Sequence, residues 1–268
     1  MHEKISVSGL CFPAHDLTAT LSQLDSIEAR RTTLLAAKVS ERGWNAGLER
    51  VRSSGVSVTA LIESPFQLAD ERTWVGARSR MIDTLDAADA LGASAVYMPT
   101  GPHISARWGE CAAAFVEAAQ PVLDHARRLG VRLAIEPTNW LYADLSFVHS
   151  VHDALALFEL CDVGVCIDLF HVWTEAHFQE NLEWAGERIV LVQVSDYILG
   201  DRSLPGRAVP GDGGIPITDL LASTLTAGYE GVFDIELSGP RVDAEGQAAA
   251  ARRAMTWLDE AISKASIL

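Results

Sequence analysis

A closed (β/α)8 barrel is the fold this sequence predicts, and three observations predict it. Short apolar runs alternate eight times with helix-length segments. Four successive runs end in a carboxylate or amide side chain, Glu136, Asp168, Gln193 and Glu236, each on the face that would point at a barrel axis. The chain has 268 residues, 49% of them hydrophobic, which is enough to bury a full core and fits one such barrel as well as two smaller domains.

The predicted strands are 5–12, 33–38, 57–63, 95–100, 132–138, 164–169, 189–196 and 231–237. Helices are expected near 16–30, 45–53, 71–91, 109–129, 149–160, 175–185 and 217–227, with a last one near 244–264. Glycine stops at Gly92, Gly130 and Gly228 end three of them just before the next strand. The stretch 198–215 is the longest without clear structure, and long loops in compact domains usually carry function. Nothing resembles a linker, a low-complexity tract or a repeat longer than the strand–helix unit, so one domain over 1–268 is expected.

Alternation within the runs sets the faces. In Val232-Phe-Asp-Ile-Glu-Leu, Phe233, Ile235 and Leu237 would pack on the helices, whereas Asp234 and Glu236 would face the axis. By the same logic Gln193 and Ser195 point inward and Val192 and Val194 outward, while Cys166 and Asp168 flank an outward Ile167. The C-terminal ends of barrel strands are where such folds carry their chemistry.

A net charge of −15, from 21 basic and 36 acidic residues, repels phosphate backbones and argues against nucleic-acid binding. Cys11, Cys111, Cys161 and Cys166 show no paired zinc spacing and read as buried thiols of a reducing compartment. The N-terminus leads straight into the first apolar run, without the long apolar region of a signal peptide, and no stretch is apolar enough to span a membrane. A cytoplasmic address and no membrane partner are expected.

A single carboxylate at a strand end commonly caps a helix or pairs with an arginine. Glu136, Asp168 and Glu236 gathered around one axis are different, because like charges repel and burial adds a desolvation cost. A bound divalent cation removes that cost most simply. Glu136, Asp168, Gln193 and Glu236 form an oxygen-only set, which favours Mn²⁺ first, with Mg²⁺ or Co²⁺ as alternatives, over a soft zinc site. Three negative charges against two leave one carboxylate able to act as a base.

His171, three residues after Asp168, reads either as a supporting histidine or as a group that orients a substrate hydroxyl or relays a proton. His103 holds the matching place after the fourth strand, where Gly101-Pro102 also suits a plain turn. Turn residues fill 202–216 and predict a tight loop over the barrel mouth, from which Arg207 can clamp a hydroxyl or carboxylate of the substrate, while Arg202 reads as exposed. Trp140 and Trp173 suit either the walls of a sugar pocket or ordinary core. Lys38 and Glu63 end the second and third strands and either line the pocket or pair with each other. No phosphate-cradling glycine loop and no nucleophilic triad stands out.

At Ile135-Glu-Pro, Ile167-Asp-Leu-Phe-His, Val192-Gln-Val-Ser-Asp, Pro210-Gly-Asp-Gly-Gly-Ile-Pro and Asp234-Ile-Glu-Leu the chain resembles the xylose isomerase-like TIM-barrel superfamily, the sugar phosphate isomerase/epimerase group. These signatures span 135 to 237 in the family's order. The resemblance implies one Mn²⁺- or Mg²⁺-type ion held by Glu136, Asp168, Gln193 and Glu236. It implies that Glu136 and Glu236 exchange a proton with a carbon next to a carbonyl while the ion stabilises the enediolate oxygens. His171 and Arg207 match the family's substrate-contacting histidine and loop arginine. Gln193 departs from the histidine of many isomerases and epimerases; dehydratases acting on 3-dehydroshikimate resemble this chain there.

The leading expectation is therefore a metal-dependent isomerase or epimerase of a ketose, keto-sugar or keto-polyol. The runner-up is a metal-dependent lyase, of the 3-dehydroshikimate dehydratase or keto-cyclitol dehydratase kind, in which the same carbanion expels a β-hydroxyl. A non-catalytic sugar-binding barrel is disfavoured because all four ligand positions hold competent donors. An endonuclease is disfavoured by the charge and by the presence of only 8 histidines. The partner is a small-molecule sugar or keto-polyol, and homo-oligomers are common among such barrels.

Overall fold

The computed structural model describes residues 2–265, so the expected domain bounds of 1–268 run past the described residues at both ends. Among the described residues ten strands are formed: β1 (Ile5–Ser8), β2 (Arg31–Leu35), β3 (Ser57–Ile62), β4 (Ala95–Met98), β5 (Arg132–Ile135), β6 (Gly164–Asp168), β7 (Ile189–Val194), β8 (Asp196–Tyr197), β9 (Arg207–Ala208) and β10 (Phe233–Ile235). All but β8 and β9 pair in parallel, each with its neighbour in the chain, and β10 returns to β1 to close an eight-stranded barrel. Helices between the strands complete a (β/α)8 architecture.

The alternation read from the sequence holds. Ala60, Ile62, Ala95, Tyr97, Ala134, Cys166 and Leu191 fill the barrel interior as a small cluster of their own. Their chain neighbours Leu61, Val96, Ile135, Ile167 and Val192 join the larger core between strands and helices. Gly92 and Gly130 take positive φ (71° and 74°) at the ends of helices Trp74–Leu91 and Trp108–Leu129, as the predicted stops require. All four cysteines are free and buried. Among the described residues no helix is long and apolar enough to cross a membrane.

The strands stop earlier than the sequence suggests. Glu63, Glu136 and Glu236 each lie one residue past a strand, yet each backbone N–H still donates one last ladder bond, to Tyr97, Met98 and Val194 (2.9, 2.9 and 3.2 Å). Strand geometry thus aims these side chains before the chain turns away. The second strand differs most. Residues 36–38, expected as strand, begin a short helix, Ala36–Ser40, that turns Lys38 away from the axis.

Candidate active site

The C-terminal ends of the barrel strands gather one buried polar cluster. Glu136 follows β5, Asp168 ends β6, Gln193 lies in β7 and Glu236 follows β10. Asp168 and Gln193 are fully buried, and Glu136 and Glu236 are 9% and 6% exposed. Asp168 performs two jobs. Its Oδ1 accepts from the N–H of Phe170 (3.0 Å) and caps the helical turn Leu169–Val172, which places His171 on the mouth side. Its Oδ2 accepts from Arg207 Nη2 at 2.6 Å.

Arg207 arrives from above. β8 and β9 form an antiparallel pair that folds the predicted mouth loop back across the barrel, with Tyr197 opposite Arg207. The carboxylate of Asp196 gathers this loop, accepting from the N–H groups of Tyr197, Gly211, Gly213 and Ile215 at 2.8 to 3.0 Å. A Cβ on Gly213 would lie 2.3 Å from Asp196 Oδ1, so the loop closes only with glycine there. Held in this way, the Arg207 guanidinium is 5% exposed and lies over the Phe170 ring (4.7 Å). It donates to Ser195 Oγ (3.0 Å) and bridges Asp168 and Glu236 Oε1 (2.8 Å) through one nitrogen.

Gln193 stands on the far side of Glu236. Its amide nitrogen donates to Glu236 Oε2 and to the Tyr97 hydroxyl (3.0 Å), and its Oε1 accepts from the Cys166 thiol (3.1 Å). His171 Nε2 lies 3.6 Å from Asp168 Oδ2 and 3.8 Å from Glu136 Oε1. Its Nδ1 faces the amide nitrogen of Asn139 at 3.0 Å, and Asn139 Oδ1 is already engaged by Leu141 N–H. Nδ1 therefore accepts and Nε2 carries the proton, a tautomer that donates a hydrogen bond rather than binding a cation.

The electrostatics follow from burial. Desolvation, then the charges of Glu236 and Asp168, push the Glu136 carboxyl well above the ordinary range. Desolvation also raises Glu236, against the pull of Arg207. Burial alone would raise Asp168, but the charges of Arg207 and His171 and the hydrogen bonds from Arg207 and Phe170 outweigh it and hold that carboxyl low. Burial lowers His171 to about 4, so its ring is neutral at physiological pH. The cluster thus holds one firm carboxylate, two proton-accepting glutamates and a neutral imidazole donor.

These residues fit a divalent cation. Glu136, Asp168 and His171 each bring a polar atom within 4.8 Å of the other two; the two carboxylates can bind an ion, while Nε2 of His171 keeps its proton and stands beside it. The single Arg207 nitrogen between Asp168 and Glu236 marks where positive charge is wanted. Beside the cluster, a cavity of about 510 Å³ is lined by His171 and by Trp140, Tyr142, Trp173 and Tyr197, a size suited to a small polar molecule between flat walls.

Residues 19–261 match the model of the xylose isomerase-like TIM barrels. The chain belongs to that family. Solved structures agree on the fold of this xylose isomerase-like barrel. A protein of Sinorhizobium meliloti 1021 is 25% identical, with a TM-score of 0.82 and 96% of each chain covered. D-psicose 3-epimerase of Clostridium cellulolyticum H10, solved with D-tagatose, is 16% identical (TM-score 0.77; 97% of this chain and 99% of that one covered). The IolI protein with a bound zinc atom is 19% identical (TM-score 0.82; 97% and 98% covered). No curated protein matches.

Not every residue expected at the site of this xylose isomerase-like barrel reaches it. Lys38 donates to the Phe12 carbonyl (2.7 Å) and Thr20 Oγ1 (3.2 Å), bonds that point it at the helix Leu17–Ser26 instead of a substrate. Glu63 pairs with Arg80 (2.9 Å) and accepts from Thr84 (2.7 Å), so it has no bond with Lys38. His103 lies against Phe147, His149 and the Cys111 thiol, because its loop turns toward the helix Trp108–Leu129. Trp140 does line the cavity but is 73% exposed; Tyr142 packs edge-on against His171. Trp173 lines the same cavity, and Arg202 is exposed as expected. Asn139 and Asp196 were missed. Each stood within a quoted signature or just beside one, but its role depends on contacts that sequence spacing does not show.

Asp234, one layer below, is fully buried, and its Oδ2 accepts from Thr33 (2.8 Å). Desolvation pushes this carboxyl up to about 7. A folded-state value above that of the unfolded chain means stability present below about pH 4 and lost as pH rises through 7. In chelator-treated protein, Asp234→Asn should remove a loss on the order of 4 kcal/mol between those limits. Parallel unfolding curves of wild type and variant at pH 5 and pH 8 would refute this.

Proposed function

We propose that the protein is a one-domain, metal-dependent isomerase or epimerase of a ketose, keto-sugar or keto-polyol. Supporting this reading above all is the pair Glu136 and Glu236, both buried in one cluster and both raised in proton affinity by burial. A base for a carbon acid works best when its own affinity is raised toward the working pH. One glutamate takes the proton from the carbon beside the carbonyl, and the other returns one to the same carbon or its neighbour. His171 donates Nε2–H to a substrate oxygen, which suits the charge that develops there. The Arg207 guanidinium orients a hydroxyl, and the aromatic cavity wall keeps water from the carbanion.

Glu136, Asp168 and Glu236 would hold one divalent cation, Mn²⁺ by the hardness of the donors, with Gln193 as fourth ligand once its amide is turned over. When bound, such an ion supplies Lewis-acid polarisation of the carbonyl. That the epimerase solved with D-tagatose shares the fold, and that IolI was solved with zinc, both favour this reading.

The test is incubation of Mn²⁺-loaded protein with a panel of keto-sugars and keto-polyols in D₂O. Solvent deuterium in a rearranged sugar supports the proposal. An enone absorbance without rearrangement would convert it to the lyase reading, and neither signal across the panel would overturn it.

A further inference from the structure

Outside the carboxylate cluster, two imidazoles converge. His103 Nε2 and His149 Nε2 are 3.2 Å apart, on rings inclined by 22° with centroids 5.2 Å apart. Two nitrogens bound at 2.0–2.1 Å to a tetrahedral ion lie about 3.3 Å from each other, so the spacing is that of one edge of such a site. The far nitrogens are held from behind. His149 Nδ1 lies 2.9 Å from the Thr138 carbonyl and must donate to it, so its Nε2 accepts from His103 Nε2–H; an ion takes the place of that shared proton, with the His103 proton then on Nδ1. The Cys111 thiol lies 3.9 Å from His103 Nδ1. Anchoring of the second ring nitrogen by a carbonyl is how metal-binding histidines are oriented.

The backbone around the pair is also fixed. His103 N–H donates to Ala143 (3.1 Å), His149 N–H to Asp153 (2.9 Å), and Gly101 bridges to Ser146. His103 is exposed and His149 half-buried, so an ion has an open approach.

We propose that His103 and His149 form a second cation site, for a borderline divalent ion such as Zn²⁺, Ni²⁺ or Cu²⁺ completed by water. Its chemistry is opposite to that of the carboxylates: two imidazole nitrogens select the nitrogen-preferring ions and leave Mn²⁺ and Mg²⁺ to oxygen donors. An ion there ties the loop after β4 to the loop after β5, whose Thr138 carbonyl anchors His149 two residues beyond Glu136.

Zn²⁺ stoichiometry by equilibrium dialysis, on the full-length wild type and on the double variant His103→Ala/His149→Ala, tests this. The variant should bind one equivalent fewer, while its Mn²⁺ binding and circular dichroism match wild type. Because the difference carries the result, a carboxylate cluster that bound no metal would change both totals and leave the difference at one. In wild type, Cu²⁺ should also show EPR splitting from two imidazole nitrogens that the variant lacks. Equal Zn²⁺ stoichiometry in the two proteins, or unchanged Cu²⁺ spectra, would overturn the site.

Discussion

Glu236→Gln should lower turnover roughly 10²- to 10⁴-fold, the usual contribution of a positioned acid or base, while leaving the fold intact. Structural tolerance has a specific basis. Glu236 Oε1 accepts from Arg207 and Oε2 from Gln193. A glutamine at 236 keeps its oxygen toward Arg207 and presents its amide nitrogen to Gln193, which turns its own amide to accept. The variant loses one negative charge from a crowded set, so no large fall in unfolding temperature is expected. Deuterium exchange separates a base from a mere ligand. If Glu136 and Glu236 serve opposite directions of transfer, Glu236→Gln still washes deuterium into one member of the substrate pair through Glu136. Glu136→Gln does so only for the other. Full turnover in either variant would remove that residue from the chemistry.

Much of this arrangement was legible because it is periodic. The two-residue alternation that put Cys166 inside and Ile167 outside needs only the pleat, and the Asp234-Ile-Glu pattern sets two carboxylates on the axis in the same way. What stayed hidden is decided by partners distant in the chain. Glu63 and Glu136 look alike in sequence, each one step past an apolar strand. Arg80 and Thr84 on the next helix engage Glu63, whereas Glu136 is left among like charges, 3.8 Å from His171. The apolar run before Lys38 predicts a strand there, but Ala36–Ser40 closes a helical turn instead. The loop sequence predicts Arg207 only as a substrate clamp; its double bridge to Asp168 and Glu236 depends on Asp196 folding the loop through four backbone N–H groups. No local pattern announces a buried ion pair made by a long loop.

That bridge makes Arg207→Met the most damaging substitution expected in the metal-free protein. Methionine fills similar volume over Phe170, so the loss is mainly of charge and hydrogen bonds. Asp168 and Glu236 would then be buried without a counter-cation, and removing one partner of a buried pair costs about 3–5 kcal/mol. At about 2–4 °C per kcal/mol for a chain of this size, the unfolding midpoint should fall on the order of 10 °C. The sign with pH is fixed. Arg207 helps hold the Asp168 carboxyl low, a contribution present at neutral pH and lost as pH falls through the low folded value. Wild type and variant should therefore converge in acid and diverge above it. Arg207→Lys keeps the charge but not a planar fork that reaches Ser195 and two carboxylates at once, and should fall between them. Mn²⁺ should restore more stability to Arg207→Met than it adds to wild type, because a divalent ion supplies the charge the guanidinium gave up. An Arg207→Met protein as stable as wild type under chelator at pH 8 would mean that these carboxylates are neutralised by protons, and that the guanidinium contributes little to their burial.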